Sequence, residues 1–424
     1  MLERFMIHCI QTMEINRMKK YTTQCLALAS VCGLMLSVNE ARGQAAVETP
    51  KKTYDIAAFV WPSYHKDDRA RVFWPMGIGE WETVMKNEAH FEGHQQPRRP
   101  IWGYVNEADR YVMEMQIAAA ADHGVNVFIY DWYWYDGMPY LEACLNEGYL
   151  KARNNSRVKF YLMWANHDVN LMWDRRNADD AATQRNKAKI WQGNVNRTEF
   201  EKIVHRWITN YFSQPSYYKI DGKPVLMIYD LNELIEGLGS VEATRDALAW
   251  FREEVKKAGH PGLELQLSMR RHSDKSLSGI PGDNVGTQKE VVEKLGFDSL
   301  THYQFCHIEN VNRDYNAIVQ DVKKQWAEIK ANYKATYYPH ISIGWDSSPR
   351  TPKHVGAVTK NNTPENFEKA LREAKAFVDA QAGRPRLITV NSWNEWTETS
   401  YLQPCELYGY GYLEAVKRVF GAGE

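Results

Sequence analysis

Leu387-Ile-Thr-Val-Asn-Ser-Trp-Asn-Glu-Trp-Thr-Glu398 reads as a short buried strand whose exit is crowded with aromatic and acidic residues. The run Leu387 to Val390 has the composition of a strand covered on both faces. Beyond it, Glu395 and Glu398 stand three residues apart. Residues at that spacing share one side of a helical turn, with Cβ atoms roughly 5–6 Å apart. Two carboxyls so placed suit acid and base work on a single glycosidic bond. The competing reading is a solvated helix start with incidental acids.

Outward from this segment, the same pattern repeats. Eight runs rich in β-formers stand at Ile56 to Trp61, Val125 to Tyr130, Val158 to Trp164, Val225 to Tyr229, Leu263 to Met269, Ser299 to Tyr303, His340 to Gly344 and Leu387 to Val390. Helical patterns separate or follow them at Ala108 to Asp122, Pro139 to Lys151, Glu199 to Phe212, Val241 to Ala258, Lys289 to Leu295, Tyr315 to Asn332, Pro364 to Ala380 and Gly409 to Phe420. Thr363-Pro364-Glu365 supplies a cap and a first-turn proline, and Gly259 and Gly296 stop helices. Buried runs alternating with helices predict an α/β protein, a single (β/α)8 TIM barrel with long βα-loop insertions. A doubly wound sheet is the alternative.

A barrel places function at the carboxyl ends of its strands, and those ends carry the unusual residues. Trp61 and Tyr64 follow the first run; Asp131, Trp132 and Trp134 the second; Trp164, Asn166 and His167 the third; Asp230 the fourth; Tyr303 the sixth; Trp345 and Asp346 the seventh; Asn391, Trp393 and Asn394 the eighth. The connections Pro62 to Glu107, Asn166 to Arg197 and Arg270 to Gly286 are long enough to build binding walls. Glu80, Trp81 and His94 lie on the first of these. With 15 Trp and 24 Tyr, the chain is rich in rings able to stack on sugars. Trp132, Trp134 and Trp345 are the expected platforms, and capping of the barrel core is the other use they could have.

Composition excludes several classes. At 44% hydrophobic and 25% charged, with a formal net charge of −1, the 424-residue chain has no basic surface for nucleic acid or anionic lipid. Met18-Lys-Lys, the 14-residue apolar stretch Cys25 to Val38 and then Ala41-Arg-Gly43 form the pattern of a secretory leader. The stretch is shorter than the roughly 20 residues of a membrane span. Residues 1–43 are therefore expected to be removed, with Met18 an alternative start and 51–424 the catalytic domain. The expected location is periplasmic or secreted. Cys32 follows Ala29-Ser30-Val31, so an outer-surface lipoprotein is the lesser option. Cys144, Cys306 and Cys405 are too scattered for a disulfide framework or a metal site. Asp131, His167 and Asp230 could collect a divalent ion, but no spaced motif singles them out, and neither metal nor cofactor is expected.

Five ordered blocks carry a resemblance. Gly79-Glu-Trp-Glu-Thr-Val84, Phe91-Glu-Gly-His-Gln-Gln-Pro97, Tyr130-Asp-Trp-Tyr-Trp134, Met163-Trp-Ala-Asn-His167 and Asn391 to Glu398 with Tyr401-Leu-Gln-Pro404 resemble the WbsX-like proteins. Those are similar in turn to the family 99 glycoside hydrolases, the endo-α-mannosidases. The resemblance implies a retaining, endo-acting, metal-free barrel hydrolase of α-linked sugars. It matches Glu395 to the carboxylate that deprotonates the sugar's own 2-hydroxyl, giving an anhydro-sugar intermediate, and Glu398 to the general acid and later base. Thr399 stands where glycine is usual, and Gln403 where glutamate is usual.

Read from the residues, Glu398 walled by Trp393, Trp396 or Tyr401 would have its pKa raised by desolvation. Asp131 or Asp346 offers a different nucleophile, through a covalent glycosyl-enzyme. The substrate-contacting set is Trp61, Tyr64, Glu80, Trp81, His94, Asp131, Trp132, Trp134, Trp164, Asn166, His167, Tyr303, Trp345, Asp346, Asn391, Trp393 and Asn394. The expected partner is an oligo- or polysaccharide met by a monomer, with no nucleic acid and no stable membrane insertion. Two other activities fit the pattern: a glycosyltransferase of surface-polysaccharide assembly, disfavoured by the leader because nucleotide-sugar donors are cytosolic, and a non-catalytic carbohydrate-binding barrel.

Overall fold

The computed structural model describes residues 53–176, 189–273, 275–277, 279–280, 285–352, 355–381 and 385–421. The expected leader lies outside the described residues. Parallel strands β1 (Asp55–Val60), β2 (Val127–Tyr135), β3 (Lys159–Trp164), β4 (Lys223–Ile228), β5 (Glu264–Met269) and β6 (Ser299–His302) pair in chain order. Strand β7 comes in two pieces, Thr336–Tyr337 and His340–Ser342, and β8 is Leu387–Asn391. Pro339 has no N–H to give the ladder, yet its carbonyl still accepts from Thr389 N at 3.1 Å. The first piece of β7 pairs with β6, the second with β8, and β8 pairs with β1. The hydrogen bonding therefore runs round a closed ring, the (β/α)8 barrel, rather than an open doubly wound sheet.

Helix boundaries follow from caps. Thr363 caps Pro364–Asp379 through Asn366 N, with proline at the helix start; Thr287 and Glu290 form a capping box for Gln288–Leu295; Gly296, at φ 73°, ends it. Tyr315–Asn332 and Val241–Lys257 bury one face each against the strands. One expected helix is absent. Over Pro139 to Lys151 the chain instead returns antiparallel on β2 at Met138–Tyr140, then makes a single π-helical segment, Cys144–Tyr149. The cause is Asp136-Gly137, both at positive φ (54° and 74°), an Asp-Gly turn of the kind that closes a two-residue hairpin. It extends β2 to Tyr135, past the Tyr130 end read from the sequence.

The barrel interior is partly polar and hydrogen-bonded throughout its middle. Tyr161 donates to Gln266 (2.9 Å), Thr301 and Thr389 bond at 2.7 Å, and His340 bridges Thr389 and Ser342 (3.0 and 2.9 Å). Burial holds His340 well below the usual imidazole range, and so neutral. These hydrogen bonds form a polar floor beneath the mouth of the barrel. Among the described residues, no helix is long and apolar enough to cross a membrane.

Candidate functional site

At the carboxyl-terminal mouth, a cavity of about 310 Å³ receives a side chain from every strand end. Trp61 comes from β1, Asp131 and Tyr133 from β2, His167 from beyond β3, Tyr229 from β4, Arg270 from β5, Tyr303 from β6, Arg350 from the β7 loop, and Glu395 and Glu398 from β8. The second insertion adds Val169, Asn170 and Trp173, where Val169–Asn170 pairs antiparallel with Lys189–Trp191. The volume falls at the lower end of small-ligand sites, ~300–1,000 Å³.

The glutamate pair sits on a small hairpin. Asn394–Glu395 pairs antiparallel with Ser400–Tyr401, and a single 3-10 turn, Trp396–Glu398, joins them. Side chains three apart eclipse in a 3-10 turn, so Glu395 and Glu398 both reach one guanidinium. Arg350 Nη2 meets Glu395 at 2.8 Å, its Nη1 meets Glu398 at 2.9 Å, and its Nε meets Glu80 at 2.8 Å. Trp61 Nε1 also donates to Glu80. The Tyr303 hydroxyl lies between Glu395 Oε2 (2.9 Å) and Asp131 Oδ2 (3.0 Å). Two carboxyl oxygens, Glu398 Oε2 and Asp131 Oδ1, are buried with no hydrogen-bond partner among the described residues.

Electrostatics separate the carboxyls. Burial, reinforced by repulsion from Glu395, pushes Glu398 up to about 8 although Arg350 opposes it. Burial also raises Glu395, where Arg350 and the Tyr303 hydrogen bond pull back against it and against repulsion from Glu80. Asp131 is held well above the carboxylate range by burial and the charge of Glu395. For Arg350, burial disfavours the charge, but Glu80, Glu395 and Glu398 together outweigh it and keep the guanidinium protonated. Burial thus favours the protonated form of Glu398, while Arg350 and the Tyr303 hydrogen bond favour the ionised form of Glu395.

Of the sequence-derived contacts, Trp61, Asp131, His167 and Tyr303 join the glutamates in the cavity. The others do not, for local reasons. Side chains alternate along a strand, so on β2 Asp131 and Tyr133 face inward while Trp132 and Trp134 face the surrounding layer, donating to Glu142 and Glu199. Trp164 likewise packs outward on Trp207 and Phe200. Tyr64 and Trp81 stack on each other at 4.0 Å, with Tyr64 accepting from Trp396 N. Glu80 is fully buried, an anchor for Arg350 rather than a sugar contact. Asn166 clasps the backbone of Asp230, and Asn391 accepts from Gln304. Asn394 holds both backbone groups of Trp61 and donates to Glu107; Trp393 donates to Gln116 behind the hairpin. His94, Trp345 and Asp346 line a separate cavity, which removes Asp346 as a nucleophile partner for Glu398.

The expected aromatic walls also differ. Trp396 stacks on Tyr401 at 3.8 Å and donates to Gln403, and neither ring, nor Trp393, lines the cavity; Glu398 is desolvated by the strand ends opposite instead. The two departures from the family pattern lie off the cavity as well. Thr399 adopts φ 54°, the left-handed region where glycine is at ease, and its hydroxyl donates to Asp346 O at 3.1 Å and accepts from Gln96. Gln403 donates to Glu107. Arg350, Tyr133, Trp173, Tyr229 and Arg270 were not found by sequence reasoning. Arg350 had one available signal, its place a few residues beyond a strand end. Asp131, His167 and Asp230 do not meet, and among the described residues no group of three or more His, Cys, Asp or Glu is placed to hold a metal.

A closed (β/α)8 barrel with an Arg-clamped carboxyl pair at its carboxyl-terminal mouth defines the class, a barrel of glycoside hydrolase-like fold. The chain belongs to the family described as "Glycosyltransferase WbsX", whose model matches residues 56–416. It is 26% identical over 377 residues to the uncharacterized protein WxcX of Xanthomonas campestris pv. campestris, covering 86% of this chain and 49% of that protein. The chain thus spans about half the length of the curated relatives it matches. Among solved structures it is similar to a glycoside hydrolase-like protein (TM-score 0.55, 14% identity, 90% of this chain and 98% of that one). It is also similar to the GH99 endo-alpha-mannosidase of Bacteroides thetaiotaomicron (TM-score 0.53, 13% identity, 86% and 96%).

Proposed function

We propose that the protein is a retaining glycoside hydrolase that cleaves α-linked glycans of the kind endo-α-mannosidases attack, with Glu398 as general acid and Glu395 as base. The observation that carries this reading is the shared guanidinium of Arg350, which sets the two carboxyls side by side while leaving Glu398 Oε2 unpartnered in the cavity. Glu395 takes the proton of the sugar 2-hydroxyl as that oxygen closes on the anomeric carbon. Glu398 gives its proton to the departing glycosidic oxygen. Water then opens the anhydro-sugar, losing a proton to Glu398 while Glu395 returns its own to the 2-oxygen. Tyr303 and Arg350 hold Glu395 in place, and Trp61, Tyr133, Tyr229 and Trp173 offer ring faces to the sugar.

The glycosyltransferase name that the family carries favours a second reading, transfer from an activated donor. The cavity argues against it: both cations lining it are engaged by carboxylates, Arg350 by Glu80, Glu395 and Glu398 and Arg270 by Asp230 at 3.5 Å, so neither is free to hold a pyrophosphate. Export through the leader of residues 1–43 belongs to the proposal, and amino-terminal sequencing of the mature protein tests it. The central test is incubation of the purified protein with α-mannans and other α-linked polysaccharides, with anomeric proton NMR of the products. Release of α-configured reducing ends that disappears in Glu398→Gln and Glu395→Gln is expected. Consumption of a nucleotide-sugar without hydrolysis of any polymer would replace the reading with transfer.

A further inference from the structure

The block Phe91 to Pro97 stood out in the sequence, yet contributes nothing to the catalytic cavity. It builds another. On the far side of the hairpin from Glu398, beginning at the adjacent residue Thr399, a cavity of about 530 Å³ lies between this block and the Val358–Thr363 segment. Its floor is fixed: His94 Nε2 and Gln96 Nε2 converge on Asp346 Oδ2 at 2.9 and 2.7 Å. Phe91 stacks on His94 at 4.3 Å and remains 48% exposed, presenting an open ring face. Trp345 supplies a second ring.

Arg98 is the residue without an explanation. It is only 9% exposed, and among the described residues it has no carboxylate partner. Among the described residues, only one of its five N–H donors makes a side-chain hydrogen bond, a long one to Gln95 Oε1 (3.3 Å), and its buried Nε makes none. The guanidinium lies 5.4 Å from the centre of the Tyr408 ring. Lys360, also lining the cavity, forms no ion pair among the described residues; Glu92 is the one carboxylate there besides the engaged Asp346. A buried cation left unpaired is costly unless something else completes it.

We propose that this cavity is a second glycan-binding site, selective for an acidic sugar whose carboxylate sits on Arg98 and whose ring lies against Phe91 or Trp345. A bidentate carboxylate fills the idle donors of a guanidinium, which a neutral hexose cannot do. The site would tether an acidic polymer beside the catalytic mouth without taking part in bond cleavage.

The test is binding without turnover. Methyl glycosides of glucuronic, galacturonic and mannuronic acid, their neutral hexose counterparts, and sodium sulfate are titrated into the parent and into Glu398→Gln, with ligand-observed NMR as readout. At least one uronide is expected to bind roughly tenfold tighter than its neutral partner, a difference of about 1.4 kcal/mol, equally in both proteins. Arg98→Gln removes the preference and Arg98→Lys retains part of it. Should Arg98→Gln fail to fold, Lys360→Gln, a change at an exposed position, is expected to weaken the preference severalfold. Equal binding of acidic and neutral glycosides, a preference that survives Arg98→Gln or Lys360→Gln, or sulfate competing while no sugar binds would each overturn the proposal. Because Glu398→Gln is read beside the parent, loss of hydrolysis and loss of this site are separate results.

Discussion

Two sets of buried carboxyls lie on opposite sides of the Asn394–Glu395 segment, and they differ in how completely their oxygens are used. Behind it, Glu107 is fully buried and accepts three amide hydrogen bonds: Gln116 (3.0 Å) and Gln403 (2.8 Å) on one oxygen, Asn394 (2.7 Å) on the other. In front, Glu398 and Asp131 each keep one buried oxygen with no partner among the described residues. Both environments raise the carboxyls by burial, Glu107 to about 7 and Glu398 to about 8. The shift alone therefore does not distinguish structure from chemistry. The open acceptor does: Glu107 ties the first insertion to the hairpin, whereas Glu398 presents an oxygen where a substrate's glycosidic oxygen would fit.

Substitution on the open side should give the largest effect. Removing a positioned general acid costs about 10²–10⁴ in rate, so Glu398→Gln is expected to lower kcat on α-linked glycans by about a thousandfold. Its circular dichroism should stay that of the parent, and its melting temperature should match the parent's at about pH 5, where Glu398 is protonated. If kcat moves less than tenfold, the distinction between open and saturated carboxyls has no catalytic meaning.

Next comes the clamp itself. Arg350→Met leaves Glu80, Glu395 and Glu398 buried without their cation. Removing one member of a buried ion cluster typically costs about 3–5 kcal/mol. The variant should melt well below the parent, and chemical denaturation would measure it. Unchanged stability would mean that the acids reorganise freely, contrary to a preset pair. A smaller loss is expected on the saturated side. Glu107→Gln turns one acceptor oxygen into a donor facing the Asn394 amide, a mismatch worth about 1–3 kcal/mol. Activity per folded molecule should persist within a few-fold. A Glu107→Gln protein that folds normally yet is inactive would move Glu107 into the catalytic set.

The sequence made the barrel legible because buried parallel strands announce themselves as continuous apolar runs, and the final one, Leu387 to Val390, leads straight into its acids. Face was harder to read than place. Ending β2 at Tyr130 made Trp132 and Trp134 into rim residues; once the Asp136-Gly137 turn carries the strand to Tyr135, alternation sends both outward and Asp131 and Tyr133 inward. Arg350 was invisible for another reason. A long, flexible side chain on an irregular loop carries no periodicity, and its role exists only through three glutamates at positions 80, 395 and 398 that meet in space. The asparagines at 166, 391 and 394 read as sugar contacts in the sequence because an amide engaged with the protein itself, as these three are, and one that meets a hydroxyl look alike there.

The mildest test varies pH. A group whose folded pKa is raised binds its proton more tightly in the native state. Glu398, at about 8 against an ordinary 4.5, therefore contributes stability that is present below 4.5 and is lost as pH rises through about 8. Glu107 runs the same way up to about 7. The parent should melt at progressively lower temperature from about pH 5 to about pH 8, and Glu398→Gln should make that slope shallower throughout, most clearly between about 7 and 8, above the range in which Glu107 contributes. Activity carries the same signature: it should fall as pH climbs through about 8, when Glu398 loses the proton it must donate. Its acidic limb should sit above the ordinary carboxylate range, because burial also raises Glu395. Melting curves of parent and variant across this range, set beside the pH–rate profile, link one carboxyl to both. An alkaline decline in rate with no matching change in the stability slope of Glu398→Gln would assign the proton to another group, with Asp131 the first to examine.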